Sequence, residues 1–101
     1  MFAAIRRYNT FEGAAATIAT RVNEEFLPKV RQMPGFIGYY AVNGGDGTLV
    51  TVSLFEDRAA ADESTRMATT WARERLNHLV KTAPVISTGE VVAMAEGAVA
   101  R

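Results

Sequence analysis

Residues 36 to 55 read Phe36-Ile37-Gly38-Tyr39-Tyr40-Ala41-Val42, then Asn43-Gly44-Gly45-Asp46-Gly47, then Thr48-Leu49-Val50-Thr51-Val52-Ser53-Leu54-Phe55. Two runs rich in aromatic and β-branched residues flank a stretch of Asn, Gly and Asp. The flanking residue types suit a pleated, half-buried surface, and the central ones tolerate the positive φ of tight turns. The stretch predicts an antiparallel hairpin with strands over 36–42 and 48–55. In the second strand, alternation puts Val50, Val52 and Leu54 on one face and Leu49, Thr51, Ser53 and Phe55 on the other. In the first, Phe36, Gly38 and Tyr40 lie opposite Ile37, Tyr39 and Ala41.

Outward from the hairpin, each side carries a helix and then a strand. Ala15, Ile18, Val22, Phe26, Val30 and Met33 recur at three- and four-residue steps, the stripe of an amphipathic helix over about 10–33. Thr10 or Asn9 is placed to cap it, and Glu12 lies near its positive end. Pro28 removes a backbone donor inside the pattern and predicts a kink there. Met33-Pro34-Gly35 stops the helix. The preceding Phe2–Tyr8 predicts a strand with Phe2, Ala4, Arg6 and Tyr8 on one face and Ala3, Ile5 and Arg7 on the other. After the hairpin, Arg58 to Val80 predicts a second helix capped by Asp57. Ala61, Ala68, Ala72, Leu76 and Leu79 form its apolar side, and Trp71 stands at its margin. A last strand is expected over Val85–Ala95 and a frayed tail over 97–101.

The order β-α-β-β-α-β predicts a ferredoxin-like α+β domain spanning 1–96, with both helices on one face of a four-stranded antiparallel sheet. A solvated second face should be polar. Here both faces are apolar. The uncovered one predicts burial against an identical sheet, giving a homodimeric α+β barrel. The face carrying Phe2, Ala4, Arg6 and Tyr8 is expected to look into that barrel.

Composition narrows the function. Eleven Lys and Arg balance eleven Asp and Glu, which argues against a nucleic-acid partner, since phosphate binding needs a basic excess. The chain has no cysteine, so disulfides, thiolate metal sites and a Cys nucleophile are excluded. The start, Met1-Phe2-Ala3-Ala4-Ile5-Arg6-Arg7, lacks the pattern of a signal peptide, and no apolar run approaches the ~20 residues of a membrane span. A cytoplasmic protein without a membrane partner is expected. Gly44-Gly45-Asp46-Gly47 joins two strands without a following helix, so it is a turn and not a phosphate loop.

Met33-Pro34-Gly35-Phe36 leading into a strand, with Val52-Ser53-Leu54-Phe55-Glu56-Asp57-Arg58 opening an Ala-rich helix, resembles the dimeric α+β barrel superfamily. More closely, it resembles the small proteins grouped with the antibiotic biosynthesis monooxygenases. The resemblance covers Phe2 to Met94. It implies a pocket between helices and sheet, or within the barrel, for a small aromatic or quinol-type substrate. Some such proteins oxidise that substrate with oxygen and no metal or flavin, through Asn, Trp and Arg side chains. Haem-degrading members use an Asn at the end of the first strand, a Trp and a ligating His. Asn9 matches that Asn in position, while Trp71 and His78 match in residue type and depart in spacing.

The resulting expectations are specific. Trp71, the single tryptophan, lies on one helical row with Ser64 and His78, with Met67 beside it, and serves as a pocket wall. Asn9 and Arg6 stabilise an anion, and Tyr8 or His78 moves the proton, so the catalytic set is Asn9, Trp71 and His78. Arg6, Tyr8, Tyr40, Thr51, Ser53 and Met67 bind substrate, and no metal or cofactor is expected. A buried Arg6 needs a partner, either Glu90 across the dimer or an anionic substrate. Beside each role stands a plainer one: Trp71 as core, His78 as a helix-end residue and Asn9 as an N-cap. Two other functions stay open, a non-catalytic dimer that binds ligand or responds to stress, and a haem-binding or haem-degrading protein.

Overall fold

The computed structural model describes residues 1–97; of the expected tail, 98–101 lie outside the described residues. Strand β1 (Phe2–Asn9) leads to α1 (Ala14–Arg21), a π-helical turn (Val22–Phe26) and α2 (Leu27–Val30). The hairpin β2 (Phe36–Asn43) and β3 (Thr48–Phe55) follows, then α3 (Arg58–Arg75) and β4 (Val85–Glu90). The sheet order is β2-β3-β1-β4, with every neighbour antiparallel. This is the expected βαββαβ architecture.

The π turn explains how the first helical segment meets the sheet. Ile18, Val22, Phe26 and Val30 are all buried, at a constant four-residue spacing. An α-helix has 3.6 residues per turn, so such a series drifts around its axis. The wider π turn absorbs the excess and keeps the stripe on the sheet. Pro28 is the local cause. Its ring would clash with the carbonyl four residues back, and the wide turn relieves this, with Leu27 N–H bonding Val22 O instead. The segment starts later than expected. Asn9 ends β1, Thr10 bridges to Val80, and Gly13 (φ 79°) precedes the helix with no side-chain cap. The Thr10 N–H and hydroxyl both go to Gly47 O, at 2.7 and 3.0 Å. Any side chain at 47 would strike the Thr10 carbonyl.

Helix α3 is capped as expected, with Asp57 Oδ1 accepting from Ala60 N–H at 2.8 Å. It ends at Arg75, not near 80, and β4 stops at Glu90, not Ala95. The core lies between the helices and one sheet face. Ala4, Tyr8, Leu49 and Phe55 of the sheet pack against Ile18, Phe26, Val30, Ala61, Ala68 and Trp71.

Two expectations about sheet faces are corrected. Phe2, Ala4, Arg6 and Tyr8 face the helices, not a barrel interior; Arg6 is 1% exposed and bonded to α3. Both faces are apolar, so alternation defines the two sets without saying which one the helices cover. In β2 a bulge between Phe36 and Gly38 shifts the register, so Phe36 joins Tyr39 on the helix side. The open side carries Ile5, Val52 and Tyr40 in one row across β1, β3 and β2. Val42 and Val85 flank this row and are exposed.

Candidate functional site

Under the helices the sheet presents a polar cluster in an otherwise apolar layer. The Arg6 guanidinium donates through Nη2 to Ser53 Oγ at 2.8 Å and through Nη1 to Thr65 Oγ1 of α3 at 3.3 Å. Thr51 sits opposite Arg6 on β3 and Tyr39 opposite Ser53 on β2. Arg6 Nε and Thr51 Oγ1 are buried and make no hydrogen bond of ordinary geometry, with the Tyr8 and Tyr39 hydroxyls close beside them. Among the described residues Arg6 makes no ion pair. Glu90, the expected carboxylate, pairs with Phe2 across β1 and β4, and Arg6 faces away from any sheet docked on the open side.

Burial raises the Tyr8 hydroxyl above its ordinary 10.0, against the pull of the Arg6 charge. The Tyr39 hydroxyl is raised by burial in the same way. Both phenols therefore stay neutral at neutral pH, and neither balances the Arg6 cation. A buried charge without a counter-charge is costly, so an anion entering this layer would find a cation free to pair with it.

A small cavity opens beside the cluster, lined by Tyr8, Phe26, Tyr39, Thr51, Trp71 and Leu76 among others. Its volume is about 10 Å³, space for roughly one water molecule. Trp71 is 8% exposed and closes one side, packed on Phe26 with ring centroids 5.3 Å apart. Its indole N–H donates to Glu25 Oε1 at 3.3 Å, and Glu25 also receives Arg75 Nε at 2.7 Å and Nη2 at 3.0 Å. Beyond the indole lies an open groove of about 420 Å³, lined in part by Glu25, Met67 and Arg75. On another side Tyr8 and Leu76 border an apolar groove of about 310 Å³ that runs to Pro84.

The expected site residues divide. Arg6, Tyr8, Thr51 and Ser53 come together, with Trp71 as the wall and Met67 just outside it. Tyr40 is on the opposite face and 62% exposed; Tyr39 takes its place because of the bulge. Asn9 is exposed at the strand end, where its carbonyl accepts from Lys81 N–H, so it neither caps the helix nor reaches the cluster. His78 is exposed in the turn after α3 because the helix ends before it, so it shares no helical row with Trp71. Thr65 and Glu25 also belong to the site. Pro28 was the one sequence signal for the π turn that carries Glu25.

The family model for antibiotic biosynthesis monooxygenases matches residues 1–69. The chain belongs to the antibiotic biosynthesis monooxygenase family. The match ends within α3, two positions before Trp71. No curated protein matches the chain. Solved structures place this family member beside proteins of differing chemistry. One is a protein of unknown function from Nitrosomonas europaea (TM-score 0.77, 21% identity, 96% of this chain and 94% of that one). Another is a monooxygenase of Streptomyces coelicolor in complex with nanaomycin D (TM-score 0.76, 16% identity, 96% and 92%). A third is an MhuD variant with two manganese protoporphyrin IX bound per active site (TM-score 0.75, 21% identity, 96% and 100%). At these identities the likeness shows the fold alone.

A porphyrin does not fit the residues present. No residue lining the internal cavity offers an imidazole, and the single His78 lies outside it on the surface. Among the described residues no group of three or more His, Asp or Glu gathers to hold a metal ion.

Proposed function

We propose that this family member is a cofactor-independent oxygenase that binds a small aromatic anion, a phenolate or quinol anion, between sheet and helices. The observation that carries this is Arg6, a buried cation with no carboxylate partner among the described residues, whose Nε, like the Thr51 hydroxyl opposite, makes no hydrogen bond of ordinary geometry. In a purely structural core nearly every buried polar atom is paired.

The substrate enters ionised, and Arg6 holds its oxygen. Tyr8 and Tyr39, both protonated, donate hydrogen bonds rather than act as bases, while Phe26 and Trp71 supply flat apolar walls. The ring anion gives electrons to dioxygen. One oxygen atom forms a new C–O bond at the ring; the O–O bond then breaks and the other oxygen leaves as water. A phenol and O₂ thus become a quinone and water. The dry layer between helices and sheet protects the anion from water. A ring exceeds the one-water cavity, so binding requires side chains to move.

The same reading includes a homodimer. The open sheet face carries Ile5, Val42, Val85 and Tyr40, each more than 40% exposed, beside the half-buried Val50, Val52 and Leu54. A patch of this kind marks an interaction surface, and a second copy covers it symmetrically.

The test is oxygen uptake with a panel of naphthols and quinols, alongside titration with 4-nitrophenolate followed by Trp71 fluorescence. Uptake that is lost and binding that weakens roughly tenfold or more in Arg6→Met support the proposal. Binding of unchanged affinity without Arg6 rejects it.

A further inference from the structure

Among the described residues, the Trp71 indole is the only side chain that lines both the internal cavity and the 420 Å³ outer groove described above. It is fixed from two sides: Phe26 packs on it at a tilt from within, and Glu25 accepts its N–H from without. Glu25 is itself held by two hydrogen bonds from Arg75, and Arg21 donates to the Arg75 carbonyl. Phe26 and Glu25 of the π turn thus contact the indole directly, and Arg75 of α3 and Arg21 of α1 brace Glu25 behind it. Glu25 reaches α3 from the π turn, a feature that in helices is often found at functional sites.

We infer that Glu25 is a positioning residue that latches Trp71 as the door between the outer groove and the internal site. With the latch closed, the indole seals the dry layer. With it open, the indole swings into the groove and clears the path by which a ring enters, and it closes again as a wall once the ring is in. The groove wall accommodates this because Met67 and the stems of Lys29 and Arg66 line it, flexible side chains rather than backbone. Only the nature of what passes the door rests on the anion site proposed above; the latch itself does not.

Trp71 is the single tryptophan, so fluorescence reports the door without labelling. In Glu25→Ala the indole loses its partner, and its accessibility to acrylamide quenching is expected to rise about fivefold, the equilibrium equivalent of one hydrogen bond. Glu25→Gln keeps an acceptor for the indole and loses the ion pair, so it should fall between the two. It also serves if the alanine variant fails to fold, which circular dichroism reveals. An indole as shielded in both variants as in the parent overturns the latch. Stopped-flow binding of 4-nitrophenolate then separates a door from a binding contact. A door changes association and dissociation rates by the same factor and leaves affinity alone. A change in affinity with an unchanged association rate makes Glu25 part of the site and overturns the door. If 4-nitrophenolate does not bind the parent protein, the anion site fails, and quenching alone decides the latch.

Discussion

The Arg6 guanidinium donates to Ser53 Oγ at 2.8 Å, joining adjacent strands under the helices with a bond that balances none of its charge. This makes Arg6 the residue whose replacement separates function from stability. Arg6→Met keeps most of the volume and removes the buried charge. Replacing a buried charge with an apolar chain is often neutral or stabilising. The melting temperature should equal or exceed that of the parent, while 4-nitrophenolate affinity falls roughly ten- to hundredfold, the worth of hydrogen bonds to a charged group. Thermal melts and fluorescence titration check both halves. Lower stability with unchanged affinity would make Arg6 a structural residue.

The row Ile5, Val52, Tyr40 sets the second prediction. Val52→Lys puts a charge at the centre of the open face and faces it with its own copy across a two-fold axis. Like charges so placed cost several kcal/mol. Sedimentation should show a dimer for the parent and a monomer for the variant, with the same circular dichroism. A monomeric parent would remove the barrel from the proposal.

Acidification should release the door. The hydrogen bonds from Arg75, followed by that from Trp71, hold the Glu25 carboxyl below its ordinary 4.5, while partial desolvation opposes them. Arg21 faces the same carboxylate, and Lys29, Arg66, Glu63 and Glu74 line the adjoining groove. For a depressed carboxylate the stabilisation is complete above the ordinary value and is lost as pH falls through the lowered one. Trp71 emission should therefore stay constant from neutral pH down to about 4.5 and change only below it. The change should be absent in Glu25→Gln. A transition nearer pH 6 would point to another group.

The buried phenols predict a spectroscopic result at the alkaline end. Of three tyrosines, Tyr8 and Tyr39 are raised by burial. For a raised phenol, the stabilisation is present below the ordinary value and lost as pH climbs through the raised one. At pH 10, where an ordinary phenol is half ionised, each of these two should contribute less than half a phenolate's absorbance. Tyr8→Phe and Tyr39→Phe should each lower the pH 10 signal by less than that half. A loss of half a phenolate or more in either variant would show an ordinary, accessible hydroxyl.

Much of the fold was legible because its signals are local. The turn residues 43–47, the alternation of β3 and the Asp57 cap each act within a few positions of the chain, and all appear as read. Trp71, Arg6, Tyr8, Thr51 and Ser53 were legible as candidates through residue type and strand parity. Parity failed at Ile37, where a bulge exchanged Tyr40 for Tyr39, because a bulge answers to the partner strand and not to local sequence. His78 and Asn9 were misplaced for one reason. Each sits at the end of an element, and element ends are set by tertiary pairing such as the Thr10–Val80 bridge.

The sequence by itself determined the order of elements, the two apolar sets of the sheet and the family, because periodicity and turn chemistry are carried by neighbouring residues. Only the tertiary structure decided which sheet face the helices cover, and so whether Arg6 looks into a dimer or into the core. It alone brought Glu25 to Trp71 across 46 positions. Both outcomes depend on packing between elements distant in sequence, which alternation within a single strand does not specify.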